Sequence, residues 1–242
     1  MSRRRPFVPL TALVRATSPT VPDPAAAIAA GLVRVDGLPV TNPRALVRRT
    51  ATVTVGSTDR PLRGAAKLQA ALAAFGCAVD GRVALDAGAS TGGFTSVLLA
   101  AGARRVYAVD AGFGQLLGWL RADPRVVNLE RTNIGALSPK LVPEPVQLLT
   151  VDLSYLALAD AAPQLEAVHL AADAEAVAVV KPMFELGLPA PPADPSERAK
   201  AVELAAAAFE AHGWRAAGAV ESPVTGRRGA VEHLLHLRRR AG

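Results

Sequence analysis

An apolar run at residues 83–85 ends in Asp86 and opens at once into the turn Ala87-Gly-Ala-Ser-Thr-Gly-Gly93. A helix-like stretch follows from Phe94 to Ala101, and a second apolar run, Val106-Tyr-Ala-Val, ends in another carboxylate, Asp110. Strand, glycine-rich turn, helix and acid-terminated strand make a βαβ unit, with the second acid where a ribose hydroxyl would sit. Few folds accommodate that order, because the helix must return the chain to a parallel neighbour. A dinucleotide turn needs G-x-G-x-x-G, and Ala89 and Ser90 after Gly88 break that spacing. The pattern that remains, D-x-G-x-x-x-G-G-F, is that of a turn for S-adenosylmethionine (SAM). SAM has no phosphate, so such a turn needs room and a carboxylate rather than an anion cradle. Asp86, Gly88, Ser90, Gly92, Gly93, Phe94 and Asp110 are the candidate cofactor residues, with Asn133 as a further one beside the adenine.

The rest of the chain continues the alternation. Patterning predicts strands at 82–86, 105–110, 125–129, 146–152 and 176–181, and helices at 93–101, 115–121, 159–171 and 196–212. Two closing strands, near 215–221 and 230–238, would form a hairpin with one antiparallel strand. This is an α/β, Rossmann-like sheet, mostly parallel with its last strand antiparallel, whose ligands bind beyond the carboxyl ends of the strands. Before it, a helical patch at 25–30, a strand at 32–35, a tight turn at Asp36-Gly37 and a strand at 50–55 form a small α+β module. The expected division is a module at 1–56, a linker at 57–64 and a catalytic domain at 65–242. The proline-rich tract 187–195 reads as a loop.

Charge separates the same two parts. Residues 1–67 hold eleven Arg and Lys against three Asp, whereas 68–242 hold sixteen basic against eighteen acidic residues. A basic segment ahead of a mildly acidic domain points to an anionic polymer as partner. A single cysteine, Cys77, excludes an internal disulfide framework and favours a reducing compartment. No apolar run approaches the ~20 residues that span a bilayer. Arg3-Arg4-Arg5 resembles a twin-arginine export signal, but the apolar part after it carries Pro9 and stops at Arg15. A cytoplasmic protein is the expectation, with no membrane and no metal.

Four polar residues fall where the sheet would converge. Asp152 ends one apolar strand, Lys181 ends another, Glu232 begins the last one, and Lys67 lies on the entering helix. The chain has twenty-three Arg and only four Lys. A chain so rich in Arg keeps Lys where Arg would not serve, since a desolvated ammonium can lose a proton and a guanidinium cannot.

The motifs Arg63-Gly-x-x-Lys67, the turn through Phe94, Val106 to Leu116, Asp123-Pro-Arg-Val126, Glu130-Arg-Thr-Asn133, Asp152-Leu-Ser154, Lys181-Pro-x-Phe-Glu185, Ser222-Pro and Val231-Glu232 occur in one order. In that order the chain resembles the TlyA family, haemolysin-named rRNA 2′-O-methyltransferases with an FtsJ-like catalytic domain. The resemblance implies a Lys67–Asp152–Lys181–Glu232 catalytic tetrad, SAM as cofactor, rRNA or ribosomal subunits as partner, and an αL-type RNA-binding module at the N-terminus. It implies Lys181 as the acceptor of the ribose 2′-OH proton and Lys67 as the cation that steadies the alkoxide. Asp152 and Glu232 would orient the amines. Two departures stand out. The first helix expected of the module is replaced at 16–24 by a tract in which proline blocks helix. The loop after Glu185 is proline-rich where the family carries a basic one, and Arg227 and Arg228 in the adjacent turn would supply part of the missing phosphate contacts. A SAM-binding RNA module with little activity and a membrane-active haemolysin are the alternatives.

Overall fold

The structure, a computed structural model, describes residues 6–55, 62–226 and 229–240. Arg3 to Arg5, linker residues 57–61, and Arg227 and Arg228 lie outside the described residues. The chain separates into two compact units. One holds the N-terminal residues up to 61 with Gly114–Asp123, and the other holds Leu62–Phe113 with the chain from Pro124 onward.

The first unit is built from short elements: β1 (Phe7–Pro9), α1 (Leu10–Thr17), α2 (Pro24–Ala29), β2 (Val33–Val35), β3 (Leu38–Pro39), β4 (Leu46–Arg48) and β5 (Val53–Val55). Contrary to the sequence expectation, a first helix is present. Proline interrupts helix only between α1 and α2, at Pro19 and Pro22; upstream, Leu10 and Val14 are spaced for one apolar face and are fully buried against Ile28 and Val33. Asp23 caps α2 by accepting from the Ala25 and Ala26 amides at 2.9 and 3.0 Å, with Pro24 in the first turn. The Asp36-Gly37 turn, both residues at positive φ, joins β2 to β3 as expected of a tight hairpin.

The second unit begins with α3 (Arg63–Phe75) and continues through β6 (Val83–Ala87), α4 (Gly93–Ala100), β7 (Arg105–Asp110), α5 (Gly118–Arg121, grouped with the first unit), β8 (Val126–Glu130) and β9 (Val146–Val151). It ends with α6 (Leu158–Ala161), β10 (Leu170–Val180), α7 (Pro182–Glu185), α8 (Pro195–Ala211), β11 (Trp214–Glu221) and β12 (His233–Arg239). Seven strands lie in the order β11-β12-β10-β9-β6-β7-β8. Neighbours from β10 to β8 pair in parallel, and β12 is antiparallel to both β10 and β11. The expected parallel sheet with one antiparallel strand is present, and β12 inserts between β10 and β11. Every residue of β6 is buried, Asp86 included, as a central parallel strand covered on both faces requires. The winding reverses between β6 and β9, which places a crevice beyond their carboxyl ends.

One expected element is replaced. The helix at 159–171 is only the four residues of α6, followed by a 3-10 turn at Pro163–Ala167 and then β10, which starts at Leu170. Pro163 has no N–H for the helix ladder, so the helical pattern stops there.

Candidate active site

Asp152 follows β9, Lys181 follows β10 and caps α7, Glu232 immediately precedes β12, and Lys67 sits in the second turn of α3. Three strand ends and one helix thus deliver four charged side chains to one place. They form a chain of alternating sign. Glu232 Oε2 lies 2.6 Å from Lys67 Nζ, Lys67 Nζ lies 3.2 Å from Asp152 Oδ2, and Asp152 Oδ1 lies 2.6 Å from Lys181 Nζ. Lys181 Nζ also donates to the Leu153 carbonyl at 2.5 Å and reaches Ser154 Oγ at 3.5 Å. The side chains of Lys67 and Glu232 are 8% and 6% exposed, those of Lys181 and Asp152 12% and 19%, so the Asp152–Lys181 end is the more open.

Burial and charge compete in this chain. Burial alone would raise the Asp152 carboxyl, but Lys181 and Lys67 outweigh it and hold the group below the usual carboxylate range. Burial would lower Lys67, and Asp152 with Glu232 outweigh it, so this ammonium stays charged above its ordinary range. A cavity of about 520 Å³ opens over the tetrad. Apart from Ser154, its other walls are mainly apolar, with Met183 and Phe184 of α7, Leu188 and Pro189 of the proline-rich loop, and Val231.

The glycine-rich turn lies on the neighbouring strand end. Gly88, at φ +90°, passes so close to the Asp152 carbonyl that a Cβ would collide with it. Gly93 meets Gly64 of α3 across a helix contact in which a Cβ would lie 3.0 Å from the Gly64 Cα. That contact fixes the start of α4 and the helix carrying Lys67 against each other. Gly92 caps α4 in a left-handed conformation, and Phe94 is buried in its first turn. Ser90 is exposed, and its amide donates to Asp110 Oδ2 at 2.8 Å; Asp110 Oδ1 accepts from Gly112 at 2.7 Å. Asn133 is exposed at the start of the 3-10 turn Ile134–Ala136. An open turn with no basic side chain and a carboxylate braced beside it fits a ligand without phosphate, as SAM is.

Asp86 is turned inward. It is 1% exposed, with Oδ2 accepting from Thr95 at 2.7 Å and Oδ1 from Thr150 at 3.0 Å. Burial pushes its pKa up to about 6, although the two hydroxyls oppose the shift. Neither threonine is singled out by the sequence reading. The available signal is a hydroxyl inside each apolar run: Thr95, followed by Ser96, in Gly-Phe-Thr-Ser-Val-Leu, and Thr150 in Leu-Leu-Thr-Val. Cys77, Glu175 and His236 bring metal-type ligand atoms within 4.8 Å of one another. Glu175 is there engaged by His236 Nε2 at 2.8 Å and by Arg82 at 3.3 Å. Burial and then Glu175 push the Cys77 thiol up to about 12. Among the described residues, no helix is long and apolar enough to cross a membrane.

A sheet of this order, a glycine turn at its switch point and a buried Lys–Asp–Lys–Glu chain beside it define a Rossmann-like methyltransferase. The chain belongs to the FtsJ-like methyltransferase family, whose model matches residues 61–239. It is 46% identical over 219 residues, 87% of this chain and 81% of the relative, to the 16S/23S rRNA (cytidine-2′-O)-methyltransferase TlyA of Mycobacterium tuberculosis. It is 32% identical to hemolysin A of Brachyspira hyodysenteriae, covering 87% of this chain and 90% of that one. A solved structure of a hemolysin-named protein from Streptococcus thermophilus superposes with a TM-score of 0.71 at 31% identity, covering 97% of this chain and 89% of the other.

Proposed function

We propose that the protein methylates a ribose 2′-OH of rRNA, on cytidine as the name of its TlyA relative has it, with SAM as donor. The observation that carries this reading is the Glu232–Lys67–Asp152–Lys181 chain opening into a cavity beside the glycine turn. Methylation of an exocyclic base amine is served by carboxylate or carbonyl acceptors alone; here the open end also presents, beside the Asp152 carboxylate, a lysine amine that can take a hydroxyl proton. Gly88, Ser90, Gly92, Gly93, Phe94, Asp110 and Asn133 would hold SAM, and Asp86 would shape the turn from beneath. Bound there, SAM supplies an electrophilic methyl group. The residues of the chain handle the proton. Lys181 Nζ, acting as the neutral amine, takes it from the 2′-OH as the oxygen becomes nucleophilic. Lys67 stays charged and stabilises the developing alkoxide, while Asp152 holds both amines in place and Glu232 holds Lys67. Displacement is in line, so positioning supplies much of the rate. An rRNA substrate puts the protein in the cytoplasm.

The test is transfer from labelled SAM to ribosomal subunits and to free rRNA. Wild type should label a ribose 2′ position. Lys181→Ala and Asp152→Ala should reduce the rate by about 10²-fold or more while retaining SAM binding. Normal labelling by both variants would overturn the assignment.

A further inference from the structure

Glu185 closes the Lys-Pro-x-Phe-Glu run, and the tetrad gives it no task. It ends α7, whose residues Pro182, Met183 and Phe184 line the cavity. Its carboxylate reaches across to the other loop of the site. Oε1 accepts from the Leu158 amide at 2.8 Å and Oε2 from the Ala159 amide at 3.4 Å. Those two amides open α6, on the segment that leaves Asp152 through Leu153 and Ser154. They lack helical partners, and a carboxylate is the group that best satisfies them. On its own side, Glu185 is tied back to Lys181, because the Phe184 and Glu185 amides donate to the Lys181 carbonyl at 2.8 and 3.2 Å. The path is therefore closed: Lys181 backbone, Glu185, α6, the 153–157 segment, Asp152.

That path bears on distances the chemistry needs. Lys181 Nζ holds both Asp152 Oδ1 and the Leu153 carbonyl, two atoms of the loop beyond β9, while its own backbone belongs to the loop beyond β10. The strands pair as far as Ala178 with Val151, and past that point the sheet no longer sets the separation of the loops. Glu185 provides a direct link between them that involves no tetrad side chain.

We propose that Glu185 is a positioning residue that clips the Lys181 loop to the Asp152 loop, setting the geometry of the Asp152–Lys181 pair and the gap between the cavity walls they carry. The kinetic part of this inference rests on the methyl-transfer reading; the geometric part does not. A misplacement of about 1 Å at a reacting group costs on the order of 10²-fold in rate.

Two readouts test it on the full-length protein. The first is single-turnover methyl transfer to rRNA across a pH series. The second is the rate at which acetic anhydride acetylates Lys181, followed by mass spectrometry without any RNA. Glu185→Ala should lower the single-turnover rate about tenfold or more, shift the pH profile, leave SAM affinity unchanged and speed Lys181 acetylation several-fold. Glu185→Gln keeps an oxygen for the Leu158 amide and should restore most of both. Wild-type rate and wild-type acetylation in Glu185→Ala would overturn the clip. So would a loss of rate that merely follows a lowered melting temperature, with Lys181 acetylation unchanged. If wild type labels no RNA but Glu185→Ala still exposes Lys181, the functional proposal falls and the clip stands.

Discussion

Asp86 is the residue at which sequence position and structural role diverge most. Its place at the end of a central strand marks a ligand-facing acid, yet the side chain points down to Thr95 and Thr150. The hydroxyls that decide this lie nine and sixty-four residues away, and only the folded sheet brings them together. By contrast, the tetrad residues were legible because each sits at a strand end or helix turn that the patterning already located. Burial has a measurable consequence at Asp86. Its folded pKa, about 6, lies above the ordinary carboxylate value. The folded state therefore binds a proton there that the unfolded chain does not hold, in the window from about pH 4 to pH 6. The contribution of Asp86 to stability is greatest below that window and is lost as pH rises through 6. Asp152 has the opposite sense, because its pKa is depressed and its contribution fades only at lower pH. Asp86→Asn should remove a pH-dependent difference on the order of 2–3 kcal/mol between pH 4 and pH 7. Denaturant unfolding of both proteins at the two pH values measures it, and an equal pH dependence would refute the buried-carboxyl account.

At the scale of elements, the contact of α3 with α4 links the cofactor turn to the tetrad. Gly64 and Gly93 let the two backbones meet, and the atoms a Cβ on Gly93 would strike are the Gly64 Cα and the Ala65 amide nitrogen. Backbone yields less readily than a side-chain tip, so larger residues must push the helices apart. Lys67, one turn along α3, would move with them, away from an Asp152 oxygen already 3.2 Å distant. Gly93→Ala should destabilise by about 1–3 kcal/mol, and Gly93→Val should in addition lower methyl transfer tenfold or more. Melting curves and single-turnover rates separate the two effects; a Gly93→Val protein with the wild-type rate would show that α3 is free to adjust. Glycines at both positions were visible in the chain, and their pairing was not, because it depends on how two helices cross. Elements bounded by strong punctuation were the easiest to read. Asp23-Pro24 and Asp194-Pro195 each begin a helix, as a cap followed by a first-turn proline should. Pro163 was punctuation of the same kind, and the run at 159–171 looked helical only when it was passed over.

For the whole molecule, the order of strands shows where local pattern stops being informative. Alternation of strand and helix established a parallel sheet and a final hairpin. That β12 lies inside the sheet, with β11 at its edge, follows from a long-range choice of pairing partner. The choice matters, since it carries Glu232 to the side of Lys67 rather than leaving it at the rim. Charge is the other whole-molecule property, and it divides along the chain into a basic N-terminal part and a mildly acidic remainder. The described part of the first unit presents Arg15, Arg34, Arg44, Arg48 and Arg49 as exposed residues. If these meet the phosphates of a folded RNA, binding should weaken as salt rises, by about one power of salt concentration for each phosphate contact. The double variant Arg48→Ala/Arg49→Ala should then lower rRNA affinity and flatten the plot of log affinity against log salt by about 1 to 2. SAM affinity and the melting temperature should remain as in wild type, since both side chains are exposed and remote in sequence from the tetrad. Filter binding over a salt series measures the slope. An unchanged slope would move the RNA contact off this edge of the first unit, and the cavity over Lys181 would then have to recruit its substrate through other basic residues.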